Sequence, residues 1–237
     1  MKRRTRPNEH PISGARNFQF ANQFVETTWV VESYAPLHRK VPAALDLMKK
    51  AAEGMITLHI PGVCLGEARS VIRRKFQPRS HLEILRSYLP WARDKGSITA
   101  ETRDIIRAVL EAYENEVMRE LDALEETLTN LRQEPNVEVF PLSETMLERA
   151  LTLSTEGLEL QPFDTSILAA ILIRANELKQ VNKEAELFFC EKDRDLLPWN
   201  REGNKRPALA ELYDNAHVWV YGDFTMTSPV RPPEWAK

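Results

Sequence analysis

Five acids, Glu26, Glu67, Asp164, Asp193 and Asp195, fall where a chain of alternating strands and helices would gather them at one edge of a sheet. Carboxylates held close together repel one another, and their pKa values rise unless a cation intervenes. Oxygen-rich clusters of this kind suit Mg²⁺ or Mn²⁺. Such an ion lowers the pKa of a bound water and stabilises both the attacking and the leaving oxygen of a phosphodiester. The chemistry expected of these residues is therefore metal-assisted hydrolysis. No Ser-His-Asp or Cys-His arrangement competes with it. Taken singly, each acid has an ordinary explanation. Asp164 precedes an apolar helical run and could cap it. Glu67 could pair with Arg69 or Arg73 on its own helix, and Asp193 and Asp195 lie in a Lys-Arg-rich turn. Glu26, at the end of a strand, is the hardest to dismiss. The case rests on their conjunction.

The elements that must position these acids can be read from pattern. Phe20 to Val25 is short, aromatic and β-branched, a strand closing at Glu26. Thr27 and Thr28 then offer a cap, and a helix begins at Trp29. A helix over about 42–53 has Pro42 near its start and Gly54 after its end. Strands follow at 56–60, 137–140, 187–190 and 217–221, with helices from Val63 to Phe76, Arg79 to Leu89, Ser143 to near Gly157, Asp164 to Lys179 and Arg206 to Asn215. From Thr99 to Arg132 there is neither Gly nor Pro. Ile106, Leu110, Tyr113, Val117, Leu121, Leu124, Leu128 and Leu131 recur there at steps of three and four, one apolar stripe on one long helix. The stripe is expected to pack on the preceding helices as a hairpin, with a dimer or partner seam as the alternative.

Strands alternating with helices imply an α/β fold, a three-layer α/β/α sandwich around a mostly parallel sheet. A chain starting near the middle gives the five-stranded order 3-2-1-4-5. Ligands of such sheets bind beyond the carboxyl ends of the strands where the winding reverses, here between strands one and four. Glu26 and Asp193 would be neighbours there. We divide the 237 residues into a basic, polar N-terminal tail (1–19), a domain (20–222) with a helical insertion at 79–134, and an irregular C-terminal tail (223–237). Apolar residues make up 43 % of the chain and charged residues 28 %, which argues against disorder outside the ends. The formal net charge of -3 gives no global reason to expect polyanion binding, so a nucleic-acid surface must come from local clustering. Cys64 and Cys190 are the only cysteines, without zinc-like neighbours. No apolar run approaches the roughly 20 residues that span a bilayer, and no apolar segment follows the basic start. No membrane association and a cytoplasmic location are expected.

With the acids and strands in place, four segments resemble the motifs of PIN domains. Phe24-Val25-Glu26-Thr27-Thr28 resembles the opening motif, where Asp, Thr and usually Asn follow an apolar strand; this chain has Glu26 and Thr28 instead. Leu65-Gly66-Glu67 resembles the second, Phe163-Asp164-Thr165 the third, and Cys190-Glu191-Lys192-Asp193-Arg194-Asp195 the fourth, with Glu191 where Thr or Ser is common. The resemblance implies a ribonuclease dependent on Mg²⁺ or Mn²⁺, with Glu26, Glu67, Asp164 and Asp193 as the catalytic and metal-holding acids and Asp195 as a further ligand. It also implies RNA as substrate and, for many relatives, a role as a toxin restrained by an antitoxin. Arg69, Arg73 and Arg74 beside Glu67, and Lys192 and Arg194 beside Asp193, are the expected RNA contacts. Trp91 and Trp199 are candidates for base stacking. A homodimer is a further expectation from the long helix. The alternative is a PIN-like module without catalysis that binds or assembles through that helix.

Overall fold

The computed structural model describes residues 21–192, 194–200 and 202–226. The expected N-terminal tail, most of the C-terminal one and Asp193 lie outside the described residues. Five strands, β1 (Ala21–Phe24), β2 (Ile56–Pro61), β3 (Val137–Phe140), β4 (Leu187–Cys190) and β5 (Val218–Tyr221), form one sheet in the order β3-β2-β1-β4-β5. Every neighbouring pair is parallel. The central strands have little polar surface because both faces are covered: Phe24, Leu58, Ile60, Leu187 and Phe189 are buried. Winding runs from β1 outward to β3, then returns through β4 to β5. With crossovers of one hand, that reversal sends the helices before β2 and β3 to one face and those before β4 and β5 to the other.

The first group comprises α1 (Thr27–Tyr34), α2 (Pro42–Ala52), α3 (Val63–Phe76), α4 (Pro78–Asp94) and α5 (Ala100–Asn130). The second comprises α6 (Glu144–Ser154), α7 (Pro162–Val181) and α8 (Pro207–Asn215). Pro stands in the first turn of α2, α4, α7 and α8, where its missing N–H has no helical partner to lose. Helix α7 is apolar nearly all round, and Ile167 to Leu172 are buried under the sheet. On α5 the stripe divides. Val117, Leu121, Leu124 and Leu128 join the main core and half-buried Tyr113 packs against it, whereas Ile106 and Leu110, on the stretch that meets α4, are only half-buried. The long helix thus closes a hairpin on α4 at its start and on α3 further along. At the other end of the chain Phe224, 1 % exposed, packs into the core, so the packed chain continues past the boundary expected at residue 222.

A polar network crosses the sheet below the strand ends. His59 on β2 is buried, with Nδ1 2.7 Å from Glu138 Oε2 and Nε2 3.0 Å from Asn22 Oδ1. Arg174 on α7 donates to the other Glu138 oxygen at 2.5 Å. The hydrogen bond from His59, reinforced by Arg174, lowers the Glu138 carboxyl to about 2. In the unfolded chain that carboxyl returns to about 4.5, so between the two values the unfolded state binds the extra proton. The contribution is present above the unfolded value and is lost as pH falls toward the folded one. Glu138 is part-exposed, so screening reduces it. Thermal unfolding should show the wild type losing more stability than Glu138→Gln as pH drops through that window; parallel curves would dismiss the network as a stabiliser.

Candidate active site

Strand β1 delivers the first acid. The Val25 N–H still donates to His59 O at 3.1 Å, so the ladder runs to the residue before Glu26. Glu26 then turns out of the strand and caps α1: its Oε1 accepts from the Thr28 N–H at 2.6 Å. The cap is thus the acid and not either threonine. This leaves Thr27 for another task. Its hydroxyl donates to Glu67 Oε2 at 2.5 Å. Glu67 reaches it from the second turn of α3, brought close by the tight exit from β2. There the Gly62 N–H donates to Phe140 O at 2.8 Å, and a Cβ on residue 62 would lie 3.2 Å from that same carbonyl oxygen.

Cys64 packs beneath this group. Burial, then the negative charges of Glu26 and Glu67, push its thiol well up. A thiol so placed stays protonated and is a poor nucleophile, but its surroundings mark Glu26 and Glu67 as sharing one neighbourhood. Glu26 follows β1, whose β4 side is where the winding of the sheet reverses, and Glu67 comes to it from the helix after β2.

Helix α7 brings Asp164 to the same edge, since a helix entering β4 must begin near the carboxyl ends of the strands. Asp164 is not the cap: that position is Gln161, without a side-chain bond, and Asp164 lies inside the first turn, half-buried. The helix dipole favours a carboxylate there. Across β1, strand β4 ends in Cys190, whose Sγ accepts from Gln23 Nε2 at 2.8 Å. Next comes Glu191, wholly buried, its N–H donating to Tyr221 O at 2.9 Å. Burial and then the Glu191 charge push the Tyr213 phenol well up. Glu191 is a site candidate that the motif comparison passed over as a mere departure; the signal was an acid directly after a wholly apolar strand. Asp195 is exposed in the following turn.

The donors are all carboxylate and hydroxyl oxygens, the set that hard divalent cations prefer. Among the described residues, no group of three or more His, Cys, Asp or Glu side chains is gathered as a metal cage. Mg²⁺ commonly keeps several waters and takes only one or two protein carboxylates besides substrate phosphates. Glu67 and Glu26, with Asp164 on the same edge, fit that sparser mode.

The expected basic rim is largely occupied. Arg69 pairs with Glu125 at 2.7 Å, Arg73 donates to Leu121 O at 3.2 Å, and Lys192 binds Glu32 at 2.7 Å. Two of these tie α3 to α5, a structural task. Arg74 and Arg194 are exposed. A different set of cations lines a groove of about 300 Å³ between the far ends of α1 and α3. Arg39, Lys40 and Lys75 stand on it, and none of the three is held in an ion pair among the described residues. Of the two tryptophans, Trp199 is buried and Trp91 is exposed. Among the described residues no helix is long and apolar enough to cross a membrane. Comparison with protein-family models, curated proteins and solved structures gives no match.

Proposed function

We propose that this chain is a PIN-type endoribonuclease that hydrolyses RNA phosphodiesters with Mg²⁺ or Mn²⁺. The observation that carries the reading is the Thr27–Glu67 hydrogen bond beside buried Glu26, at the carboxyl end of the central strand β1. A hydroxyl that fixes a carboxylate leaves its other oxygen aimed in one direction, as a metal ligand requires. Glu26, Glu67, Asp164 and Asp193 are the proposed metal-holding acids, with Asp195 beyond them. The bound ion would supply an activated water and neutralise charge on the scissile phosphate. A cytoplasmic toxin held by an antitoxin belongs to the same reading. The test is cleavage of mixed structured and single-stranded RNA with either metal, wild type beside Asp164→Asn, with EDTA as control. Cutting that survives EDTA would sink the proposal.

The second reading is a PIN-like module without catalysis. It is favoured by Glu26 spending Oε1 on the Thr28 N–H as a helix cap. No cutting by a well-folded wild type under either metal would select it.

Arg39, Lys40 and Lys75 are the proposed backbone-phosphate contacts, replacing the occupied Arg69, Arg73 and Lys192. Helices α1 and α3 both run from the acids to this groove, so a strand laid along them would meet both. Each phosphate contact to a single strand contributes about 0.7 to the slope of log K against log salt. Replacing all three by Ala should weaken RNA binding and flatten that slope by about 2, read by fluorescence anisotropy in EDTA. An unchanged slope would take the groove off the RNA path.

A further inference from the structure

Helix α4 carries two apolar stripes. The inner one, Leu82, Leu89 and Ala92, is buried against α5. The outer one is Ile84, Tyr88 and Trp91, spaced by four and then three, the repeat of a coiled-coil seam. Ile84 is 77 % exposed and Trp91 53 %. The Tyr88 and Trp91 rings pack on each other, tilted by 38° with centroids 5.5 Å apart, so the stripe is a preformed surface. Arg86 meets Glu114 across the hairpin, which fixes the register of α4 on α5. In that register Leu85 of α4 and Val109 of α5 lie on the same side of the inner seam. The exposed side chains of Leu85, Ile105 and Val109 therefore extend the outer stripe around the hairpin.

From this surface we infer that the chain forms a two-fold dimer in which α4 packs antiparallel on α4 of a second copy. Two observations favour a second copy as the occupant. The first is charge. A two-fold axis sets a surface against itself, so a stripe of one sign would repel its mate. From Ile84 through Tyr88 to Trp91 the stripe carries no charge at all, and Ile84 of one copy can lie against Trp91 of the other about a dyad near Tyr88. The second is area. Aromatic side chains bury about 150–250 Å² each and aliphatic ones somewhat less, so two aromatic and four aliphatic side chains, roughly half to three-quarters exposed, offer on the order of 600 Å². That is most of the roughly 800 Å² per partner in a standard interface, and it reaches the upper end of the largest patch on a typical monomer, about 300–600 Å². The dimer does not depend on the nuclease reading, because α4 carries none of the proposed metal-holding acids.

Sedimentation velocity of the full chain over a hundredfold dilution tests it. The expected result is a dimer that dissociates on dilution, and a double variant Ile84→Glu/Trp91→Glu that is monomeric throughout with an unchanged far-ultraviolet spectrum. A wild type monomeric at every concentration, or a dimer indifferent to the double variant, overturns the inference. Should the glutamates unfold the hairpin, Tyr88→Cys is the second probe. Cys64 and Cys190 are fully buried, so maleimide labelling of the native protein reports on position 88. Labelling that slows as concentration rises supports the dimer. Equal labelling at all concentrations overturns it, and protection that persists at high dilution shows a cover supplied by the same chain, which overturns it too.

Discussion

Glu67→Gln should reduce metal-dependent RNA cleavage on the order of 10²–10³-fold, the usual loss when a preorganised transition-state stabiliser is removed. The substitution keeps volume and still lets the side chain accept from the Thr27 hydroxyl, now 2.5 Å from Glu67 Oε2. Folding should therefore survive, and the loss should fall on kcat. Thr27→Val is the companion variant. It leaves the carboxylate charged but removes the donor that orients it, and partners of this second kind typically cost 10–100-fold. The two effects should not add, because both act through one carboxylate. Raising the Mn²⁺ concentration should partly rescue Thr27→Val, whose ligand is intact, and leave Glu67→Gln unrescued. Equal activity of Glu67→Gln and wild type would remove α3 from the site and leave the Thr27 contact as a packing detail.

The order of the strands was readable because it follows from local pattern plus general rules of winding. Short apolar runs such as Leu187–Cys190 alternate with helices, and a central start leaves few topologies. The place of Asp164 at the start of a helix was legible for the same reason, because the buried character of that helix is written in its own residues. The basic rim was misread because its partners are distant in sequence. Arg69 and Arg73 look like a basic face on α3, yet what occupies them lies on α5, 56 and 48 residues away. Nothing within α3 announces it. The cap of α1 failed differently: threonine is the better-known cap, so preference pointed past Glu26 to Thr27, whose hydroxyl is used on Glu67, and to Thr28, whose N–H is the group capped. On α4 the sequence pattern held two stripes, but only the packing of α5 decides which one is left outside.

Trp29→Ala should be among the most destabilising single substitutions in the domain. Trp29 is fully buried on α1, among the largest side chains of the core. Its Nε1 donates to Ala44 O on α2 at 3.1 Å, so the ring both fills volume and ties the first two helices together. Removing such a side chain costs about 3–5 kcal/mol through lost transfer energy and the cavity left behind. For a chain of this size that corresponds to a drop on the order of 10 °C in Tm. Trp29→Phe separates the two contributions: it keeps most of the packing, loses the donor, and should cost about 1–3 kcal/mol. Two residues before Trp29 is Thr27, so the same ring fixes the start of α1 against which Glu67 is aimed. Trp29→Phe should therefore lower Tm and weaken metal-dependent cutting together, with the activity loss the smaller at temperatures well below the new midpoint. If Trp29→Ala unfolds within a degree or two of wild type, α1 is not anchored through this ring, and the geometry at Thr27 must be held from the strand side alone.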